Sequence, residues 1–171
     1  MTDQEVLNQI AQAFGPCHRP EHFTNYRHCC ECFEHDELLR SRDRETLRAE
    51  DVGSEAWDPI CFVSPEGFAY LLPALARMAL SEPAPTWGWY GGQLVFHLCY
   101  DGPINVRWQH CTGGQRRAVA TLLKHILETR AELVDDTSRV DMFFAALEIW
   151  SDTGGATELA VAPEPAQPRL P

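Results

Sequence analysis

With 171 residues, the chain has the length of one domain that can bury a core without disulfide staples. Hydrophobic residues make up 44% and charged residues 23%, a balance that excludes an intrinsically disordered chain. The formal net charge of −11 argues against nucleic acid or anionic membrane as partners, because phosphate binding needs a basic face.

The first residues, Met1 to Glu5, carry no apolar region of the secretory type, and the apolar stretch Gly67 to Ala76 is far short of the roughly 20 residues that cross a bilayer. A cytoplasmic protein without a membrane span is expected. Seven cysteines are too few for a disulfide scaffold of this length, and an odd number leaves one unpaired. They read as reduced thiols, buried apolar residues or metal ligands.

Along the chain, Thr2 and Glu5 form a capping box, and Val6, Leu7, Ile10 and Phe14 follow at helical spacing until Gly15-Pro16. Residues 16–33 show no apolar period and read as a loop. A helix is predicted to resume near Glu34 and run through Leu38-Leu39, with a further turn around Thr46-Leu47. Arg40, Arg42, Arg44 and Arg48 alternate there with Asp36, Glu37, Asp43, Glu45 and Glu50, the pattern of an ion-paired surface. After the Asp58-Pro59 turn, Ile60 to Val63 reads as a short buried strand.

Ser64-Pro65-Glu66 is a helix start, with an N-cap hydroxyl, a first-turn proline and an acid facing the dipole. Phe68 to Leu80 is apolar almost all round, so a central buried helix is expected, kinked at Pro73. Trp87, Trp89 and Tyr90, in a Gly/Pro loop, read as a lid on the core, with a partner-binding patch as the alternative. Leu94 to Leu98 reads as helix. Thr112 and Gln115 form a second capping box, opening a helix with Val119, Leu122, Leu123, Ile126 and Leu127 on one face. Val140, Phe143, Phe144, Leu147 and Trp150 mark the last helix. The prediction is a mainly α fold, one domain over residues 1–152 with about five to six helices and one or two short strands. A disordered Pro-rich tail is expected over residues 153–171.

The densest chemistry is the run His28-Cys29-Cys30-Glu31-Cys32-Phe33-Glu34-His35. Cys29 and Cys32 have the C-x-x-C spacing that lets two thiolates grip one ion, and His35 follows at the same interval. A structural zinc site needs four such donors, and His28, Cys30, Cys17 or His22 offers the fourth. Zinc held by Cys29, Cys30, Cys32, His28 and His35 residues is therefore the expected metal centre. A long loop without an apolar face needs a tie, and a metal ion supplies one. Two other readings stay open. The thiols can be small buried apolar residues, or Cys29, Cys30 or Cys32 can act as a nucleophile or redox thiol beside His28 or His35. Glu31, Glu34, Asp36 and Glu37 oppose thiolate formation, and no thioredoxin-like βαβ context is present. His97-Leu98-Cys99 and His110-Cys111 offer ligands for a second site, although Cys99 reads as core, and His125 reads as a packing residue. No phosphate loop, dinucleotide fingerprint, G-x-S-x-G or H-E-x-x-H occurs.

Three blocks, CCECFEHDELLRSRD at 29–43, WDPICFVSPEGFAYLLPALARMAL at 57–80 and QRRAVATLLKHILETR at 115–130, resemble a bacterial protein family of unknown function over roughly residues 14 to 133. The resemblance implies a bacterial or phage origin and draws attention to Cys29-x-Glu31-Cys32, but carries no activity with it. The functional expectation is a small acidic domain, stapled by zinc, that binds another protein. The alternative is a thiol-dependent enzyme or redox protein using Cys29, Cys30 or Cys32.

Overall fold

A computed structural model describes residues 1–152, so the expected tail over 153–171 lies outside the described residues. The described chain is mainly helical. The helices are α1 (Asp3–Phe14), α2 (Cys30–Arg40), α3 (Ala49–Val52), α4 (Pro65–Leu80), α5 (Gly91–Cys99), α6 (Val106–His110), α7 (Gly113–Thr129), α8 (Ala131–Asp136) and α9 (Val140–Ser151). Three 3₁₀ turns, Glu55–Trp57, Pro59–Phe62 and Gly102–Ile104, complete the order. The helices outnumber the five or six expected because short turns such as α3, α6 and α8 break the connections. No helix among the described residues is long and apolar enough to cross a membrane.

The centre is α4. Ser64 caps it by accepting the Gly67 N–H, and from Gly67 to Leu80 every residue except Pro73 and Arg77 is buried. The helix runs on through Pro73. Around it, α1 packs on α4 and α7, while α9 packs on α5 and α7. The stripes that make this possible are Val6, Ile10 and Phe14 on α1, Val119, Leu122, Leu123 and Ile126 on α7, and Phe143, Ala146 and Trp150 on α9. Burying each large side chain of this set contributes about 1.5–3 kcal/mol. Both predicted capping boxes, Thr2/Glu5 and Thr112/Gln115, are formed.

Two elements differ from the sequence reading. Ile60 to Val63 is no strand: Asp58 caps the segment through the Ile60 N–H, and Pro59–Phe62 coils into a 3₁₀ turn. A single bridge from Val63 to Thr24 is all the pairing it makes among the described residues. The second helix starts at Cys30, not near Glu34, because the Cys29 sulfur itself serves as the cap.

The aromatic loop divides. Trp89 is buried, stacks on Phe143 and donates its indole N–H to the Ala79 carbonyl at 2.8 Å, so it does lid the core. Its ring lies so close to Gly91 that a Cβ there would fall 2.2 Å away, which only glycine avoids. Trp87 remains exposed.

Candidate functional site

The segment between α1 and α2 is ordered by a buried carboxylate. Asp36, on the inner face of α2, accepts the Phe23 N–H at 2.7 Å and the Thr24 N–H at 3.1 Å through Oδ1. Its Oδ2 meets His22 Nδ1 at 2.6 Å. Thr24 donates its hydroxyl to the Cys32 carbonyl at 2.7 Å, and Ser64 donates its N–H to the Phe23 carbonyl at 2.8 Å. Arg19 closes the set by donating to the carbonyls of Arg40 and Arg42. Phe23, fully buried, anchors the loop in the core. The loop is thus tied by its own hydrogen bonds and needs no metal ion to order it. Charged hydrogen bonds of this kind contribute about 1.5–3 kcal/mol each where water is excluded.

On that base, α2 begins at a thiol. Cys29 occupies the N-cap in extended conformation, and its sulfur accepts the Cys32 N–H at 3.4 Å. Cys32, at the third helical position, is turned back toward the cap, and the two sulfurs lie 3.3 Å apart in a shared hydrogen bond. Cys29 is exposed; Cys32 is buried. His28 Nδ1 stands 3.8 Å from the Cys32 sulfur. The Cys32 N–H, then the Cys32 thiol, then His28 bring the Cys29 thiol down to about 7. Donation to Cys29 and burial push the Cys32 thiol up. Of the two thiols, Cys29 is therefore the one that ionises first. The local field at a helix N-terminus outweighs the carboxylates that the sequence set against it.

Five residues were expected to form one centre, and the structure brings three of them together. His28, Cys29 and Cys32 place ligand atoms within 4.8 Å of one another and could hold a metal ion. Cys30 is not in that group: at the first helical position it is rotated away into solvent. Nor is His35. A further turn up the helix, it is fully buried between the rings of Trp57 and Phe62, centroids 4.6 and 4.8 Å away. Neither ring nitrogen has a hydrogen-bond partner among the described residues, and Glu31 Oε1 is 3.8 Å from Nε2. The equal spacing of Cys29, Cys32 and His35 misled because a helix advances about 1.5 Å per residue, so the third member climbs away from the first two.

A second group was half foreseen in the sequence, which offered His97 as a ligand but neither Asp58 nor Cys61. Asp58, Cys61 and His97 also place ligand atoms within 4.8 Å of one another. Asp58 caps the 3₁₀ turn that carries Cys61, which explains their spacing, while His97 comes from the buried face of α5. His97 Nε2 is 2.7 Å from Asp58 Oδ2, both side chains being almost wholly buried. Burial pulls the His97 imidazole down despite the carboxylate beside it, and burial with Asp58 pushes the Cys61 thiol up. Asp58-Pro59 read as a turn and Cys61 as part of an apolar run, so only a tertiary contact with His97 could reveal them.

Several other histidines and basic residues have structural partners. His125 bonds Asp3 at 2.7 Å, together with Arg130, tying α7 to the start of α1. Arg40, Arg42, Arg44 and Arg48 face Glu37, Asp51, Glu45 and Glu50 respectively. No protein family, curated protein or solved structure matches the chain.

Proposed function

We propose that the protein acts through Cys29 and Cys32 as a dithiol in thiol–disulfide exchange with a disulfide-bearing protein. One observation carries this reading: an exposed sulfur at a helix N-cap lies 3.3 Å from a buried second sulfur. Cys29 attacks one sulfur of the substrate disulfide, forming a mixed disulfide and releasing a substrate thiolate. Cys32 then displaces the second substrate thiolate, closing the Cys29–Cys32 bond. Two electrons pass to the substrate, which leaves as a dithiol, and the reverse sequence oxidises a dithiol partner. Closure needs the sulfurs to approach from 3.3 Å to the roughly 2.05 Å of a disulfide, a local rotation. Half-exposed Phe33, one residue past Cys32, offers apolar contact for a protein partner.

The test is equilibration with a glutathione redox buffer, followed by alkylation and peptide mapping in a Cys30→Ser background. A reversible Cys29–Cys32 disulfide is expected, and Cys32→Ser should accumulate a glutathione adduct on Cys29. If the Cys32→Ser protein forms no adduct at Cys29 and, in the parent protein, Cys29 alkylates no faster than Cys30, the reading fails.

A zinc ion held by His28, Cys29 and Cys32 is the second reading, and the imidazole beside the Cys32 sulfur favours it. It predicts about one zinc per chain in protein purified without chelator, slow alkylation of Cys29, and loss of the ion in Cys32→Ser.

A further inference from the structure

We propose that Asp58, Cys61 and His97 form a zinc site whose fourth position opens into the neighbouring cavity. Its donors arrive from two separate elements, the 3₁₀ turn at Pro59–Phe62 with its capping residue and helix α5. Their ligand atoms already lie within 4.8 Å of one another. In a tetrahedral site with bonds of about 2.0–2.3 Å, donors sit roughly 3.3–3.8 Å apart, so the Asp58–His97 pair, now hydrogen-bonded at 2.7 Å, opens by about half an ångström or more while the Cys61 sulfur adjusts to it. Cys61 is exposed and free to make that adjustment.

Two further observations point to a ligand there. The first is His97 itself. Its Nε2 is engaged by Asp58, while Nδ1 is buried with no hydrogen-bond partner among the described residues. The donors are also held in place: Asp58 Oδ1 accepts the Ile60 N–H at 2.9 Å, and Arg107, itself buried, donates to the carbonyls of both Ile60 and His97. That bracing from outside the donor set is what metal ligands need to keep their orientation.

The second observation is the cavity. About 170 Å³ of space is lined by Asp58 and Cys61 together with Glu55, Gln93, Phe96 and Arg139. Arg139 is paired with Glu55 at its edge and also donates to the Gly92 carbonyl. Three protein donors of sulfur, nitrogen and oxygen type suit zinc better than magnesium or calcium. An open fourth position belongs to catalytic rather than structural zinc, because water or a small ligand can then occupy it. The Arg139 guanidinium at the cavity would favour a small ligand carrying a carboxylate or phosphate. On binding the ion, the Cys61 thiol proton leaves to solvent and is replaced by the metal.

The experiment uses the full chain carrying Cys29→Ser and Cys32→Ser, so that no thiolate of the α2 cluster contributes and the outcome is independent of the dithiol reading. Cobalt(II) is added as the spectroscopic probe under reducing, oxygen-free conditions. One equivalent should bind with a thiolate-to-cobalt charge-transfer band, and zinc should displace it. Adding Cys61→Ser, at an exposed position that leaves the fold intact, should abolish the band. Asp58→Asn should weaken binding by at least about tenfold. No stoichiometric binding in the Cys29→Ser/Cys32→Ser protein would overturn the proposal, and so would a band that survives Cys61→Ser.

Discussion

The molecule is held together differently in two regions. Around α4, helices α1, α7 and α9 bring apolar stripes to one core, and almost every contact that matters is between side chains such as Ile10, Leu75, Leu122 and Phe143. From Gly15 to Val63 the chain instead follows polar bonds: Asp36 gathers three groups, Asp51 takes Arg42, Asp58 takes His97, and Arg19 grips two carbonyls. His28, Cys29 and Cys32 lie on the polar side of this division, as do Asp58 and Cys61, which His97 meets from α5. Hydrophobic contact is non-directional and stabilises without aiming, whereas buried hydrogen bonds fix atoms to within tenths of an ångström. A site that must align sulfurs is built in the second manner.

The comparison can be strained from the apolar side first. Leu75 is fully buried in the middle of α4, so Leu75→Ala should cost about 2–5 kcal/mol in a denaturant titration. The dithiol's alkylation rate in the folded protein should be unchanged. A neutral result would mean that α4 is not the centre of the fold.

On the polar side, Asp36→Ala removes the acceptor for two backbone N–H groups and the partner of His22. A loss of about 2–4 kcal/mol is expected. In contrast to Leu75→Ala, it should also expose the loop at Phe23 to hydrogen exchange and disturb the Cys32 environment. If exchange rises equally throughout the molecule, the two regions are not separately held.

Within the apolar region, Asp3 joins α1 to α7 through Arg130 and His125, and the Arg130 hydrogen bond holds its carboxyl below the usual range. A lowered folded value means stability that is present above the unfolded pKa of about 3.9 and is lost as pH falls through the folded one. Because the group is partly exposed, Asp3→Asn should cost only about 0.5–1 kcal/mol at pH 7. The difference from the parent protein should shrink as pH falls below the unfolded value and through the folded one. A gap that persists in acid would show that the hydrogen-bond geometry, not the charge, is responsible.

The smallest effect on stability is expected at the dithiol itself. Cys29→Ser should leave the folding free energy within about 0.5 kcal/mol, since serine is also an N-cap residue and the position is exposed. In the parent protein, the rate of Cys29 alkylation should rise with pH and reach half its maximum at about 7, because the thiolate is the reactive form. A midpoint near 8.5, the value of an ordinary thiol, would remove the helix N-terminus as the activating device.

Local chemistry along the chain was enough to determine most of the helical scaffold. Both capping boxes, the Ser64-Pro65 start and the apolar periods of α1, α7 and α9 are local signals, and each became the element it implied. It also pointed to Cys29 and Cys32, because C-x-x-C spacing is itself local. Only the tertiary structure decided which histidine joins them. His28 lies beside the sulfurs, while the wall of Trp57 and Phe62 takes His35 into the interior. It alone decided that a cysteine caps α2, that Ile60 to Val63 coils instead of pairing, and that Asp58 and Cys61 meet a histidine from α5. The reason is physical. Periodicity and capping are written within one turn or two, but a cluster drawn from distant elements exists only once the core has set their distance and angle.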